Sequence, residues 1–223
     1  MEKIQVDNEV ARLRILKAAH EGKRFTLQDA VTFQYPKRIQ SLKGELQLLQ
    51  KDLERRNQAM EVQPGFAITL QGKVYEKHKE AGEVLRGIIE GVTAFTRHEV
   101  GIYKGFQVSV QKDMLGPILF LQGEKEYSVE LKSSDSGNMV RIENRLNALD
   151  KAVEDVQKEI KTCENEIKNA KQEYEKPFPY EELLKENITR QMEIDAELEI
   201  KDQEECVEVQ EETKNLPCQT AVR

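Results

Sequence analysis

Tryptophan is absent, and phenylalanine and tyrosine number only seven and six in 223 residues. Apolar residues make up 38%, below the roughly 45–50% of an ordinary globular domain. That shortage disfavours a large α/β enzyme, whose central strands are buried on both faces and read as long apolar runs. No stretch approaches the roughly 18 consecutive apolar residues of a membrane span, and Met1-Glu2-Lys3 opens no signal peptide. Cysteines are few and odd in number: Cys163, Cys206 and Cys218 share no metal-ligand spacing. A reduced, cytoplasmic setting is therefore expected, with no cofactor, no metal and no membrane partner.

What is plentiful is charge, at 34% of residues against a norm of roughly 25%. The net charge of −7 is unevenly spread: +4 over residues 1–60, −2 over 61–135, −1 over 136–178 and −8 over 179–223. The acidity belongs to the C-terminal end, and the body is close to neutral. A near-neutral body makes a poor autonomous nucleic-acid binder, although a local basic face is compatible with it.

Periodicity is the strongest signal. From Ile142, apolar residues fall at Leu146, Leu149, Val153, Val156, Ile160, Cys163, Ile167, Ala170 and Tyr174, in alternating steps of four and three. This is a heptad seam, with Glu, Lys, Asp and Asn between. The serine-rich stretch from Ser133 to Asn138 offers caps at its start, and Pro177 and Pro179 close it. A second seam, Ile39, Leu42, Leu46, Leu49 and Leu53, lies in a helix expected from Pro36 to about Met60. Upstream, Val10, Leu13 and Leu16 predict a shorter helix ending near Gly22, and Thr26-Leu-Gln-Asp29 has the shape of a capping box. A last helix is expected from Tyr180 to about Ile200, with a frayed acidic tail from Lys201.

Between the seams the period changes to two. Phe66-Ala-Ile-Thr-Leu70, Gln71-Gly72 and Lys73-Val-Tyr75 read as a hairpin, and Tyr103 to Val110 as one alternating strand. Residues 117–121 and 126–131 follow as two more strands, and a helix is expected from Lys77 to about Gly91. The expected fold class is α+β: long antiparallel helical coiled-coil arms with an inserted small antiparallel β-sheet plus one helix. The divisions fall at 1–60 for the first helices and arm, 61–135 for the inserted tip, 136–200 for the second arm and terminal helix, and 201–223 for the tail.

Five segments carry a family resemblance: Val6-Asp-Asn-Glu-Val-Ala-Arg-Leu-Arg-Ile-Leu-Lys-Ala18, Lys79-Glu-Ala-Gly-Glu83, Tyr103-Lys-Gly-Phe106, Gly137-Asn-Met-Val-Arg-Ile-Glu-Asn144 and Ala170-Lys-Gln-Glu-Tyr-Glu-Lys-Pro-Phe-Pro179. Over residues 4–200 the chain resembles the C-terminal region of very large fusion proteins of bacterial conjugative elements and phages. Those fusions join an adenine-specific DNA methyltransferase to a Swi/Snf-type helicase. The tail after Lys201 departs from the pattern. Met1 falls where the resembling region begins, which favours a fragment or a split gene.

The family's chemistry does not carry over. Its methyltransferase holds a flipped adenine with a loop containing Pro-Pro, and no Pro-Pro occurs here. A helicase motor needs Gly-Lys-Ser/Thr over the ATP phosphates, and that is missing too. No catalytic residue is expected. His20, His78 and His98 are singletons, Ser109-Val-Gln-Lys112 sits in a strand pattern, and Asn187-Ile-Thr189 is a sequon that matters only in a secreted protein. The candidate DNA-backbone contacts are Lys37, Arg38, Lys132, Arg141 and Arg145, with Arg55-Arg56 on the same arm as Lys37-Arg38. Glu143 between Arg141 and Arg145 argues against base reading and equally fits a solvated helix face.

Two functional expectations follow. The resemblance implies a non-catalytic accessory module that contacts DNA, weakly and without sequence preference, or another domain of a methyltransferase/helicase machine. The alternative is a free-standing coiled-coil adaptor for protein–protein interaction.

Overall fold

The structure is a computed structural model that describes the backbone of residues 2–214 and the side chains of residues 2–200. The chain divides into two compact units, one formed by the residues up to Thr32 and from Lys168 onward, the other by Phe33–Ile167.

The second unit holds an antiparallel sheet and its helices. Its strands are β1 (Ile68–Leu70), β2 (Lys73–Tyr75), β3 (Arg97–Tyr103), β4 (Phe106–Lys112), β5 (Pro117–Gln122) and β6 (Glu126–Glu130). They run in the order β2-β1-β3-β4-β5-β6, every neighbouring pair antiparallel. Period two makes the sheet one-sided: Ile68, Leu70, Tyr103, Phe106, Val108, Leu119, Leu121 and Tyr127 are buried, and Gln107, Gln122, Ser128 and Glu130 are exposed. The buried face packs with α2 (Tyr35–Val62), α3 (His78–Gly91), α4 (Asp135–Asn147) and the first part of α5 (Leu149–Tyr174) in one core that includes Leu49, Leu85, Met139, Ile142, Leu146, Leu149 and Val153.

Both seams are used within this unit. Leu42 clusters with Ile160 and Cys163, with Ile39, Leu46 and Val156 packed around them. Arg56 near the end of α2 bonds Asp150 at the start of α5, whereas Arg38 near the start of α2 pairs with Glu159, so the two helices run antiparallel. Burial raises the Cys163 thiol above its ordinary pKa, helped by Glu166 and Glu159.

The first unit pairs α1 (Glu2–Asp29) with α6 (Glu181–Lys214) and the end of α5. Val10, Leu13 and Leu184 form its core, with Val6, Phe178 and Ile188 against them. Lys17 bonds Glu181 at 2.9 Å, and the Arg24 guanidinium lies 4.7 Å from the Tyr174 ring centroid. No helix among the described residues is long and apolar enough to cross a membrane.

Several expected boundaries are corrected. The helix expected to stop near Gly22 continues to Asp29 and passes through a π-helical turn, Ala30–Gln34, into α2. Thr26 caps nothing; its hydroxyl donates back to the Gly22 carbonyl at 3.1 Å, as a mid-helix threonine does. Gln34 is already helical (φ −69°, ψ −56°), so α2 needs no cap, and Pro36 is accommodated in its first turn. Residues 103–110 are not one strand. Lys104 (φ 48°) and Gly105 (φ 79°) make a tight turn there, and β3 comes before it. The long seam helix is interrupted at Ala148, which separates α4 from α5. Finally, α6 runs on to Lys214, past the point where the acidic tail was expected to begin; the side chains from Lys201 and all of residues 215–223 lie outside the described residues.

Candidate functional site

A buried carboxylate locks one end of the sheet to α2. Asp52 follows the seam residue Leu49 by three positions and is completely buried. Its Oδ1 accepts from the Glu124 backbone N–H at 2.7 Å, and its Oδ2 from the Lys125 N–H at 2.9 Å and the Tyr127 hydroxyl at 2.7 Å. Three donors satisfy the charge that burial would otherwise make costly. One turn on, Arg56 is also buried; it forks onto Asp150 at 2.7 and 3.1 Å and donates to the Leu146 carbonyl at 3.0 Å. That hydrogen bond holds the Asp150 carboxyl below the ordinary aspartate range. Sequence periodicity marks α2 as a seam helix but gives no hint of this polar anchor.

The expected basic residues fall in separate places. Lys37 is exposed at the start of α2, and Arg38 beside it is committed to Glu159. Arg55 lies 17 residues further along the same helix, about 25 Å at ~1.5 Å per residue, and pairs with Glu124 at 3.1 Å. Arg145 has its guanidinium 5.5 Å from the Tyr127 ring centroid. Only Lys132 and Arg141 are gathered by a common group. Asn138 receives the Lys132 N–H at 2.7 Å, donates to the Lys132 carbonyl at 2.8 Å and accepts from Arg141 at 3.0 Å. Ser134 caps this helix start, accepting from the Gly137 N–H at 3.2 Å. Two of the five thus have partners distant in sequence, the Glu159 carboxylate for Arg38 and the Tyr127 ring for Arg145.

The β4–β5 turn presents the opposite chemistry. Asp113 Oδ1 accepts from the N–H groups of Leu115 (2.8 Å) and Gly116 (3.0 Å), and the Asp113 N–H donates to the Gly116 carbonyl at 3.1 Å. This closed turn holds Met114 and Leu115 outward, 91% and 98% exposed. Phe95, 63% exposed with φ 64°, is tied to the same end of the sheet by its N–H, which donates to the Lys112 carbonyl at 2.7 Å. No periodicity in the sequence marks this turn. The available signal was two large apolar residues between Asp113 and Gly116, where turns are ordinarily polar.

At the other end, a cleft of about 430 Å³ lies between α2 and the β3–β4 turn, lined by Arg55, Ala59, Val62, Thr69, Ile102 and Lys104 among others. Lys104 is held there by the Gln63 and Gly65 carbonyls, and burial lowers its pKa. Among the described residues no group of three or more His, Cys, Asp or Glu side chains could hold a metal ion.

No family model matches the chain, and searches of curated proteins and of solved structures find no match to it. Within the fold, three of the segments that carry the sequence resemblance do packing work. Gly82 lies so close to α4 that a Cβ would meet the Asp135 carbonyl oxygen at 2.4 Å; Lys104-Gly105 is the β3–β4 turn; Asn138 is the clamp described above.

Proposed function

We propose that this chain is a non-catalytic accessory module of a DNA methyltransferase/helicase machine of a mobile element, and that it docks on another domain of that machine. The observation that carries the reading is the closed Asp113–Gly116 turn, which offers Met114 and Leu115 to solvent in a fixed conformation. A preordered apolar pair loses little entropy on entering a partner's pocket, and central apolar anchors dominate protein–protein binding. The α2 and α5 seams act as an antiparallel coiled-coil arm that carries the sheet, supported by the Leu42–Ile160–Cys163 cluster and the Arg38–Glu159 pair. DNA contact on this reading is weak and confined to phosphates near Lys132 and Arg141. The module works in the cytoplasm beside its parent enzyme.

The test uses a methyltransferase/helicase of the resembling family from which the matching C-terminal segment has been deleted. Replacing Met114→Ser together with Leu115→Ser should weaken binding to it at least ~tenfold, about 1.4 kcal/mol, without lowering the melting temperature. Unchanged binding by the double variant overturns the docking surface. Binding to random duplex DNA that exceeds binding to the polypeptide overturns the reading as a whole.

A further inference from the structure

Helix α1 carries two apolar seams on opposite faces, and one of them is exposed, with no partner among the described residues. The inner seam runs Val6, Val10 and Leu13 and packs with Leu184, Ile188 and Phe178. It continues through Lys17, bonded to Glu181, and Arg24, stacked over Tyr174. Two residues further on, about 200° around the helix, the same spacing repeats in steps of four and three. Ile4, Ala11, Ala18 and Phe25 take the d positions of this second heptad series; Asn8, Ile15 and Gly22 take the a positions. All seven are exposed, Ile4 by 65%, Ile15 by 70% and Phe25 by 74%. A Cβ at Gly22 would meet nothing within 4 Å. A helix apolar on two opposite sides belongs between two neighbours, and the chain supplies one of them in α6.

The charges flanking the outer seam choose the second neighbour. In a parallel pairing of two α1 helices, Asp7 at a g position meets Arg12 at the e position of the second copy, once on each side. Asp7 Oδ1 accepts from Gln191 at 2.6 Å, which leaves Oδ2 for the arginine. Arg12 is 71% exposed and makes only a 3.5 Å contact with Glu9. Parallel pairing also sets Asn8 against Asn8, and a single a-position asparagine is the best attested device for fixing register in two-stranded coils. The antiparallel register that sets Ile15 against Ala18 would bring Arg14 beside Glu21 but would bury Asn8 against Phe25 instead of against a second Asn8. We propose that α1 associates in parallel with α1 of a second copy of this chain through the Ile4–Phe25 face. The inference is independent of the Met114–Leu115 docking surface, which lies in the other unit.

Ala11, Ala18 and Gly22 allow close approach but bury little area. Three heptads fall short of the ~1,200 Å² of a standard interface, so the dimer is weak, with Kd on the order of 10–100 μM. Sedimentation equilibrium of the full chain over ~1–500 μM should show the mass rising from 25.8 kDa toward twice that value. Ile15→Glu should keep it monomeric throughout with unchanged circular dichroism, since the side chain touches solvent in the single chain. With Cys206 and Cys218 replaced by serine, Ala11→Cys should cross-link to itself on mild oxidation. A wild-type chain that stays monomeric over this range overturns the proposal, as does an Ile15→Glu variant that still dimerises. Cross-linking found only between Ala11→Cys and Gly22→Cys chains overturns the parallel arrangement.

Discussion

The Tyr127 hydroxyl donates to Asp52 Oδ2 at 2.7 Å and so ties the start of β6 to a helix residue 75 positions earlier in the chain. The bond is buried, and the phenol's pKa is raised first by that burial and then by the carboxylate it touches. Together with the two N–H groups of Glu124 and Lys125, it turns the β5–β6 connection into a rigid attachment to α2. The same sheet holds the Met114–Leu115 turn, so its placement depends on this attachment.

Asp52→Ala should destabilise the chain by ~2–4 kcal/mol, because the buried Tyr127 hydroxyl and two part-buried backbone N–H groups lose their acceptor. Tyr127→Phe should cost only ~1 kcal/mol, since it leaves the carboxylate two backbone donors. In urea denaturation the double variant should cost less than the sum, the coupling being the shared hydrogen bond. Additive effects would show that the anchor is not a unit.

Two glycines should respond with opposite sign. A Cβ on Gly123 would lie 2.2 Å from Asp52 Oδ1 and 2.6 Å from Phe106 Cε1, so Gly123→Ala should destabilise by ~2 kcal/mol or more. Gly87 lies exposed within α3 with nothing within 4 Å of its would-be Cβ, so Gly87→Ala should stabilise by ~0.5–1 kcal/mol through helix propensity. Thermal melts of the two variants check both directions.

The pH dependence has a definite sign at the arm's polar clamp. Arg56 holds Asp150 below its unfolded pKa of about 3.9, so the folded state binds the proton less readily than the unfolded one. Its contribution is therefore complete above that value and disappears as pH falls through the lower, folded pKa. Asp150 is 58% exposed, and solvent screening keeps the effect below ~1 kcal/mol. Asp150→Asn should lower stability at pH 7 and have no further effect near pH 2. A loss at pH 2 as large as at pH 7 would assign the effect to packing rather than charge.

Much of the helical part is legible in the sequence because one periodicity, repeated, dictates burial: Leu42, Leu49, Leu146, Leu149 and Ile160 are all interior. The Gln71-Gly72 hairpin is equally plain: the two-residue turn has φ of 47° and 81°, and Gly72 takes the second without strain, although Gln71 takes the first against its own preference. Strand β3 is obscured by its own irregularity: the register shifts between Glu99 and Gly101, and the apolar alternation breaks with it. Helix α1 outruns Gly22 because partners distant in sequence, Glu173 for Lys23 and Tyr174 for Arg24, support its last turns against local propensity. The candidate site suffers the same blindness. Arg38 reads as a free cation until Glu159, 121 residues later, is found against it.

Cys163 offers a kinetic reading of the α2–α5 contact. Its thiol is buried in the Leu42–Ile160 cluster and its pKa is raised, so labelling by iodoacetamide at pH 8 should be at least ~tenfold slower than in urea. Leu42→Ala should speed it by opening a cavity beside the sulfur and should cost ~2–4 kcal/mol. Labelling as fast in buffer as in urea would mean that the seams are not packed together in solution.

Calorimetric titration of the whole chain into a methyltransferase/helicase lacking its resembling C-terminal segment tests the functional account most directly, with random duplex DNA titrated alongside at low salt. The account predicts a saturable, apolar association with negative heat-capacity change for the polypeptide, and at most weak, salt-sensitive binding for the DNA. Tight DNA binding with no heat of association with the polypeptide would contradict it.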